Sequence, residues 1–231
     1  MSNSSELLVV IPARGGSKRL PRKNIRPLAG RPLLEWTQSA IHEAGLDAPC
    51  LLSTDDEEIA RAGRALGWTA PFLRPLDLSQ DQTPTVPVVL HALDWFARET
   101  GHDPNLIMVL QVTSPFRGGK CLREGLRLMK ERSDCDAVIA VRELARYPGL
   151  IYTRGTDGLL TKADDDDRSR QLYAPNGALY IVRTAVLRET KTLLPPRTLS
   201  LVMDERTSLD IDTEDDWCLA EKTAGQLRDA S

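Results

Sequence analysis

Short runs of wholly apolar residues alternate with amphipathic stretches along most of this chain. Residues 7–11 and 106–110 contain only apolar side chains, and residues 50–53, 137–141 and 178–182 are further short strand candidates. A wholly apolar strand is buried on both faces, as in a parallel sheet with helices on each side. The pattern predicts an α/β, three-layer Rossmann-like fold with a mostly parallel sheet and helices on both faces.

Helix-ending and helix-capping residues separate the predicted strands. Gly45 and Gly101 follow amphipathic stretches and predict two helix ends. Thr54 and Glu57 have the spacing of a capping box, and Thr213 can cap a final helix. Residues 199–203 are an edge-strand candidate.

The alternation stops between Arg142 and Pro175, a stretch rich in Gly, Arg, Asp and Tyr whose apolar residues form only short pairs such as Leu159-Leu160. We expect residues 1–231 to form a single domain, with 142–175 as a small protruding sub-region. Its tyrosines and leucines would be unfavourable to expose, so we expect it to be a dimerisation arm of a homodimer, or to border the substrate. A mobile loop folded back on its own subunit is the alternative.

Composition excludes several classes of partner. The formal net charge is −3, which gives no general attraction to nucleic acid or anionic lipid. No apolar run approaches the roughly 18 residues that span a bilayer, and the start of the chain lacks the features of a secretory signal. The four cysteines are widely scattered, as expected of reduced thiols. We therefore expect a cytoplasmic protein with no membrane or nucleic-acid partner.

The segment from Ile11 to Gly30 is the strongest candidate for a ligand site, because it follows the first buried strand. Gly15 and Gly16 let the backbone approach a phosphate closely. Six cationic side chains suit a nucleoside triphosphate: Arg14, Lys18, Arg19, Arg22, Lys23 and Arg26. The dinucleotide and Walker glycine patterns are absent, which argues against a nicotinamide dehydrogenase and a P-loop kinase. A basic surface loop is the alternative interpretation.

This segment, Pro-Ala-Arg-Gly-Gly-Ser-Lys-Arg-Leu-Pro-Arg-Lys-Asn, resembles the signature of the acylneuraminate cytidylyltransferases, the CMP-sialic acid synthetases. Residues 110–115 (Leu-Gln-Val-Thr-Ser-Pro), 175–181 and 210–214 resemble the same family in the same order. The resemblance implies a CTP-dependent cytidylyltransferase that converts an acidic nonulosonic sugar into its CMP-sugar and releases pyrophosphate.

The resemblance also implies roles for individual residues. Arg14 and Lys23 would hold the CTP phosphates with help from Lys18, and Asn24, Arg74 and Thr85 would help to recognise the cytidine. The nucleotide-binding set comprises Ala13, Arg14, Gly15, Gly16, Ser17, Lys18, Lys23, Asn24, Arg74 and Thr85. The acceptor-binding set comprises Gln111, Ser114, Asn176 and Tyr180.

Asp210 and Asp212 form the candidate metal site. In extended chain, residues two apart point to the same side, and two carboxylates suit a hard cation such as Mg²⁺ or Mn²⁺. The alternative is a charge pair at the start of a helix. By the resemblance, the metal would assist in-line attack on the α-phosphorus of CTP, so Arg14, Lys23 and Asp212 are the catalytic candidates.

The acceptor site departs from the family pattern. Sialate enzymes commonly carry an arginine immediately before the Pro-Asn-Gly segment, where this chain has Ala174. The acceptor carboxylate is then held differently, or the acceptor is another acid such as a 3-deoxy-octulosonate or a phosphonate. A non-catalytic CTP-binding protein is a further alternative, although it would have no need of the aspartate pair.

Overall fold

The computed structural model describes residues 6–144, 152–162 and 171–229. Within these ranges the strands are β1 (Leu7–Pro12), β2 (Pro27–Leu28), β3 (Arg31–Pro32), β4 (Cys50–Ser53), β5 (Leu106–Val109), β6 (Ala137–Leu144), β7 (Tyr152–Arg154), β8 (Leu160–Lys162), β9 (Leu172–Arg183) and β10 (Thr198–Met203). The α-helices are α1 (Leu33–Ala44), α2 (Glu57–Ala65), α3 (Thr85–Thr100), α4 (Gly118–Glu131), α5 (Thr184–Thr190) and α6 (Glu214–Asp229). Three short 3₁₀ helices span Lys23–Ile25, Leu76–Leu78 and Pro115–Arg117.

Six strands of the main sheet form a row in the order β10, β6, β9, β5, β1, β4. β1 pairs in parallel with β4 and β5, and β6 pairs in parallel with β10. β9 runs antiparallel to both of its neighbours, β5 and β6. The predicted mostly parallel sheet is confirmed. The sequence did not predict the reversed direction of β9, because an apolar run does not encode strand direction.

Helices cover both faces of the sheet, as predicted. Alternate residues of β1 point to opposite faces. Val9 and Ile11 pack in one core cluster with side chains of α1, α2, α4 and α6. Leu8 and Val10 pack in another, with side chains of α3 and α5. The wholly apolar sequence of β1 is therefore explained by burial on both sides.

Glycines end two helices where the sequence predicted. Gly45 after α1 has φ 65° and Gly101 after α3 has φ 79°, a left-handed conformation that glycine adopts without strain.

The prediction for the start of α2 was wrong. Asp56, not Thr54, caps this helix, and its carboxylate accepts hydrogen bonds from the amides of Glu58 and Ile59 at 2.8 and 3.0 Å. The Thr54 hydroxyl instead accepts from the Asp56 amide at 3.2 Å. A cap at Thr54 would have started the helix two residues earlier and placed Asp55 in its first turn. Asp55 instead accepts a hydrogen bond from the Gly15 amide.

The prediction for the start of α6 is confirmed. The Thr213 hydroxyl accepts from the Asp216 amide at 3.2 Å, and the Asp216 carboxylate accepts from the Thr213 amide at 2.8 Å. This reciprocal pair is a capping box with aspartate in the usual place of glutamate.

Strands β6 and β9 extend into both ends of the predicted sub-region. β6 continues to Leu144 and β9 begins at Leu172, so Arg142 pairs with Ala174 inside the sheet. The antiparallel ladder between β6 and β9 continues past an irregularity between Ile139 and Val141. The change in composition at residue 142 hid this continuation in the sequence. β7 and β8 then extend this ladder beside β9.

Several apolar side chains of this region are covered by their own subunit. Leu160 and Tyr173 are buried in a cluster with Ile139 and Val141. Leu159 packs against the main core. Tyr147, Leu150 and Ile151, further apolar residues of the predicted sub-region, lie outside the described residues. None of the described helices is long and apolar enough to cross a membrane.

Candidate active site

A cavity of about 630 Å³ opens at the carboxyl ends of β1, β4 and β5. This is the edge of an open α/β sheet where ligands bind. The lining residues are Pro12, Ala13, Arg14, Ser17, Lys18, Arg19, Lys23, Asn24, Arg74, Asp81, Thr83, Thr85, Val88, Gln111, Val112, Thr113, Asp210 and Asp212. The cavity thus contains most of the predicted nucleotide-binding set, one predicted acceptor residue and both predicted metal ligands.

The loop after β1 is held in place by backbone contacts. The Gly15 amide donates to Asp55 Oδ1 at 2.9 Å, and Asn24 Nδ2 donates to the Arg14 carbonyl at 2.8 Å. A Cβ at Gly15 would lie 2.7 Å from the Cβ of Asp56, whereas a Cβ at Gly16 would meet open space. Neither glycine lines the cavity. The structure therefore gives Gly15 a packing reason for being glycine, and gives Gly16 none.

Arg74 is buried between the loop and the body of the protein. Its Nε donates to Ser53 Oγ at 3.1 Å, and its Nη2 donates to the Ser53 carbonyl. Burial lowers its pKa to about 10, and the nearby Asp55 carboxylate opposes this shift. Arg74 therefore stays charged at neutral pH and presents a fixed cation to the cavity.

Lys23 and Asp212 form an ion pair at the floor of the cavity. Lys23 is buried, and its Nζ donates to Asp212 Oδ1 at 3.0 Å and to the Ile211 carbonyl at 2.6 Å. Arg19 Nη2 donates to the other oxygen of the same carboxylate, at 3.2 Å. Lys23 thus positions Asp212 directly, beyond the phosphate contact that the sequence suggested.

Asp210 has a different environment from Asp212. Asp210 is exposed at the cavity, with protein packed around the rest of its side chain. This partial desolvation raises the pKa of Asp210 and the Asp212 charge adds to the effect, while a hydrogen bond from Thr113 opposes it. Because two carboxylates lie close together and Asp210 is costly to ionise alone, a cation between them would be favoured. Within the described ranges there is no cluster of three or more His, Cys, Asp or Glu side chains. Two carboxylates nevertheless fit Mg²⁺, which keeps several water or phosphate ligands.

The predicted acceptor residues divide into two kinds. Gln111 lines the cavity, whereas Ser114 and Asn176 are buried and do not line it. Ser114 Oγ donates to the Asn176 carbonyl at 3.1 Å, and Asn176 Nδ2 donates to Ser208 Oγ at 3.0 Å. The amide oxygen of Asn176 accepts from the Ala178 amide at 3.1 Å. Both side chains are therefore engaged within the protein.

Tyr180, the fourth predicted acceptor residue, is only partly buried but does not line the cavity. Burial of the phenol, together with the charge of Asp210, raises the pKa of Tyr180 to about 12. The hydroxyl is therefore protonated at neutral pH and within the electrostatic reach of Asp210.

Asp81, Thr83 and Thr113 also line the cavity, although no sequence motif marked them as site residues. Asp81 and Thr83 lie between the Leu76–Leu78 helix and α3, in a polar stretch like any surface loop. Thr113 follows β5 and could have been inferred from its place beside Gln111 in the 110–115 segment. No comparable signal marks Asp81.

Comparisons with known proteins agree with the sequence motifs. The family model described as cytidylyltransferase matches residues 8–143. CMP-N,N'-diacetyllegionaminic acid synthase of Legionella pneumophila is 32% identical over 223 residues, covering 94% of this chain and 95% of that protein. N-acylneuraminate cytidylyltransferase of Streptococcus agalactiae serotype III is 31% identical over 217 residues, covering 91% of this chain and 51% of that protein. The chain therefore spans about half the length of this streptococcal relative.

Solved structures share the fold. A CMP:2-keto-3-deoxy-manno-octonic acid synthetase complexed with CTP superposes with a TM-score of 0.74 at 19% identity, covering 97% of this chain and 100% of that one. The 4-diphosphocytidyl-2C-methyl-D-erythritol synthase of Anaerococcus prevotii gives a TM-score of 0.62 at 12% identity, covering 96% of this chain and 100% of that one. The resemblance inferred from the motifs is thus confirmed, and the chain belongs to the cytidylyltransferase family of nucleotidyltransferase enzymes.

Proposed function

We propose that this enzyme transfers CMP from CTP to an acidic nonulosonic sugar and releases pyrophosphate. The observation that carries the proposal is the joint placement of Arg14, Lys18 and Lys23 with the Asp210–Asp212 pair in one cavity. Relatives named for legionaminic, N-acylneuraminic and pseudaminic acids support this class of acceptor. The CTP complex of a structural neighbour supports the choice of nucleotide.

In this proposal, the loop after β1 binds the triphosphate. Arg14 and Lys23 hold the CTP phosphates with help from Lys18, and Arg14 and Lys18 reach the outer β- and γ-phosphates. Ala13, Gly15, Gly16 and Ser17 are the adjoining backbone. Guanidinium and ammonium groups suit phosphate oxygens and neutralise the pyrophosphate as it departs.

In the same proposal, other residues that line the cavity recognise the cytidine. Arg74, fixed by Ser53, and Thr85, at the start of α3, face the cytidine together with Asn24. Asn24 also holds the loop through the Arg14 carbonyl, so it links base recognition to phosphate binding.

Asp210 and Asp212 would hold a divalent cation, which we propose to be Mg²⁺ or Mn²⁺. When bound, such a cation supplies Lewis-acid stabilisation of charge on phosphate oxygens. Lys23 orients the Asp212 carboxylate, and Thr113 hydrogen-bonds to Asp210. The anomeric hydroxyl of the acceptor attacks the α-phosphorus in line and loses its proton to solvent. The bond between the α-phosphorus and the bridging oxygen breaks, and pyrophosphate leaves with that oxygen.

Gln111 is the predicted acceptor residue that lines the cavity, so we propose that it contacts the sugar. Ser114 and Asn176 act behind it as positioning residues, because their hydrogen bonds join the segment after β5 to β9. Tyr180 stays a prediction for the acceptor side, near Asp210.

We further propose a cytoplasmic homodimer in which residues 142–175 contact the partner subunit, within one catalytic domain spanning residues 1–231. The family resemblance supports the dimer, and the four free cysteines suit a reducing compartment. Light scattering at micromolar concentration tests the assembly, and a 25.6 kDa monomer would contradict it. Changing Leu159 and Leu160 is a poor test, because both side chains pack within their own subunit.

A pyrophosphate-release assay tests the activity. The enzyme is given CTP and Mg²⁺ with a panel of acceptors: sialic, legionaminic and pseudaminic acids, a 3-deoxy-octulosonate, and a phosphonate. We expect release with at least one nonulosonic acid and little without acceptor. Release only with the octulosonate or the phosphonate would show that the acceptor class is wrong while the cytidylyl transfer holds.

A further inference from the structure

One carboxylate in the cavity has no place in the roles proposed above. Asp81 precedes α3, and its side chain reaches the loop after β1. Its Oδ1 accepts a hydrogen bond from Arg14 Nη1 at 2.8 Å, and its Oδ2 lies 2.5 Å from Lys18 Nζ. Each carboxylate oxygen therefore contacts one of the two cations proposed to bind the outer phosphates.

The charge on Asp81 is secure at neutral pH. The hydrogen bond from Lys18 is the main cause that lowers the pKa of Asp81, and Arg14 adds to it. All three side chains keep solvent exposure, with 38% of the Asp81 side chain accessible. The ion pairs are thus formed but weak enough for a competing anion to replace.

The segment that carries Asp81 has few other ties to the protein. Ser79 Oγ donates to the Pro75 carbonyl, and Gln80 Nε2 donates to the Leu76 carbonyl. Thr83 Oγ1 donates to the Asp77 carbonyl. These hydrogen bonds all stay within residues 75–83. Among the described residues, Asp81 makes the side-chain hydrogen bonds and ion pairs that link residues 79–83 to more distant parts of the chain. Its partners in these contacts are Arg14 and Lys18. Asp81 can therefore withdraw without breaking another long-range hydrogen bond.

We infer that Asp81 is a selectivity residue for the phosphate subsite, which competes with bound phosphates for Arg14 and Lys18. The inference rests on the proposed function, in which the outer phosphates of CTP contact these two cations. An anion that contacts both cations displaces the carboxylate, whereas a ligand that reaches only Arg74 and Thr85 leaves it in place. The competition weakens the binding of pyrophosphate as much as that of CTP, which favours product release.

The test compares Asp81→Asn with Asp77→Asn, a matched change of an exposed aspartate on the same segment that does not line the cavity. Calorimetry measures the binding of CTP, inorganic pyrophosphate and cytidine to each full-length variant. We expect Asp81→Asn to bind CTP and pyrophosphate about three- to tenfold more tightly, since two exposed ion pairs are lost. Cytidine affinity should not change, and Asp77→Asn should behave as wild type. The gain should shrink as ionic strength rises from about 0.05 to 0.5 M.

Unchanged or weaker pyrophosphate binding by Asp81→Asn would overturn the inference, because the carboxylate would then support the subsite or have no effect on it. An equal gain for cytidine would also overturn it, since the effect would not depend on phosphate. If the wild-type enzyme turns over CTP but Asp81→Asn shows no gain in affinity, this inference alone is rejected. If the wild-type enzyme binds pyrophosphate but shows no preference for CTP, the proposed nucleotide is rejected. The comparison of pyrophosphate affinities then still decides the role of Asp81. Matching unfolding midpoints confirm that both variants fold.

Discussion

The two sides of the cavity differ in how their residues are fixed. On the nucleotide side, the loop of residues 12–24 together with Arg74 and Thr85 presents most of its predicted side chains directly to the cavity. On the acceptor side, residues 111–114 and 176–180, Gln111 lines the cavity whereas Ser114 and Asn176 lie behind it, buried and hydrogen-bonded. A motif residue can thus be required by the substrate or by the scaffold that positions the substrate, and only the contacts separate the two.

The largest expected effect is at Asp212, where the two sides meet. We expect Asp212→Ala to lower kcat at least 100-fold, corresponding to about 2.7 kcal/mol, because the carboxylate would act mainly in the transition state. Steady-state kinetics with CTP and Mg²⁺ measure this. CTP affinity should fall much less.

Asp215→Ala is the control, an exposed carboxylate in the first turn of α6. If Asp212→Ala retained more than about a tenth of wild-type kcat, with a normal unfolding midpoint, the metal role of this residue would be wrong.

The two glycines of the loop should behave differently, although the sequence treats them alike. Gly15→Ala places a Cβ 2.7 Å from the Cβ of Asp56, the cap of α2, so either the loop or the cap must shift. We expect about 2 kcal/mol of destabilisation and weaker CTP binding. Gly16→Ala meets open space and should leave both quantities near wild type. Urea unfolding and CTP titration measure the pair, and equal effects would show that the contact with Asp56 is irrelevant.

On the acceptor side, the corresponding pair is Asn176→Ala and Gln111→Ala. Removing the Asn176 amide leaves buried partners unsatisfied, so we expect the free energy of unfolding to fall by about 1–2 kcal/mol. Gln111→Ala should change stability by less than about 0.5 kcal/mol and raise the KM for the acceptor. Chemical denaturation and acceptor kinetics separate the two outcomes. An Asn176→Ala variant of normal stability with a raised acceptor KM would return Asn176 to direct substrate contact.

The smallest expected effect is a pH dependence of folding stability that comes from His91 in α3. His91 packs edge-to-face on Phe72, with ring centroids 4.6 Å apart. Burial lowers the pKa of His91, and Arg98 and Arg74 add to this, so the folded protein favours the neutral ring. As pH falls below about 6.5, the unfolded chain gains a proton that the folded chain resists, and stability decreases.

Replacing His91 with Gln should remove this part of the pH dependence. We expect a difference below about 0.5 kcal/mol between pH 7 and pH 6, because the ring is partly exposed. His42→Gln, an exposed histidine at the end of α1, is the matched control. Thermal unfolding across this range measures the effect, and identical pH profiles for the two variants would contradict it.

The sequence predicted the scaffold well where the physical requirement is local. Wholly apolar runs mark β1 and β5, left-handed glycines mark the ends of α1 and α3, and Thr213 marks the start of α6. Each of these signals depends on neighbouring residues only.

Features that depend on distant contacts were not predictable in the same way. The antiparallel direction of β9 and its extension to Leu172 depend on pairing with β6. The burial of Asn176 depends on Ser208, and the place of Asp81 in the cavity depends on Arg14 and Lys18. Polar residues carry no mark in sequence that distinguishes a buried partner from a bound substrate.

Competition between nucleotides is the sharpest test of cytidylyl transfer by this enzyme. The enzyme is incubated with equal concentrations of CTP, UTP, ATP and GTP, Mg²⁺ and the best acceptor, and the remaining nucleotides and the products are quantified by mass spectrometry. We expect CTP to be consumed far faster than the others, only when acceptor is present, with a CMP-sugar as the product. Equal consumption of UTP and CTP, or consumption without acceptor, would contradict it.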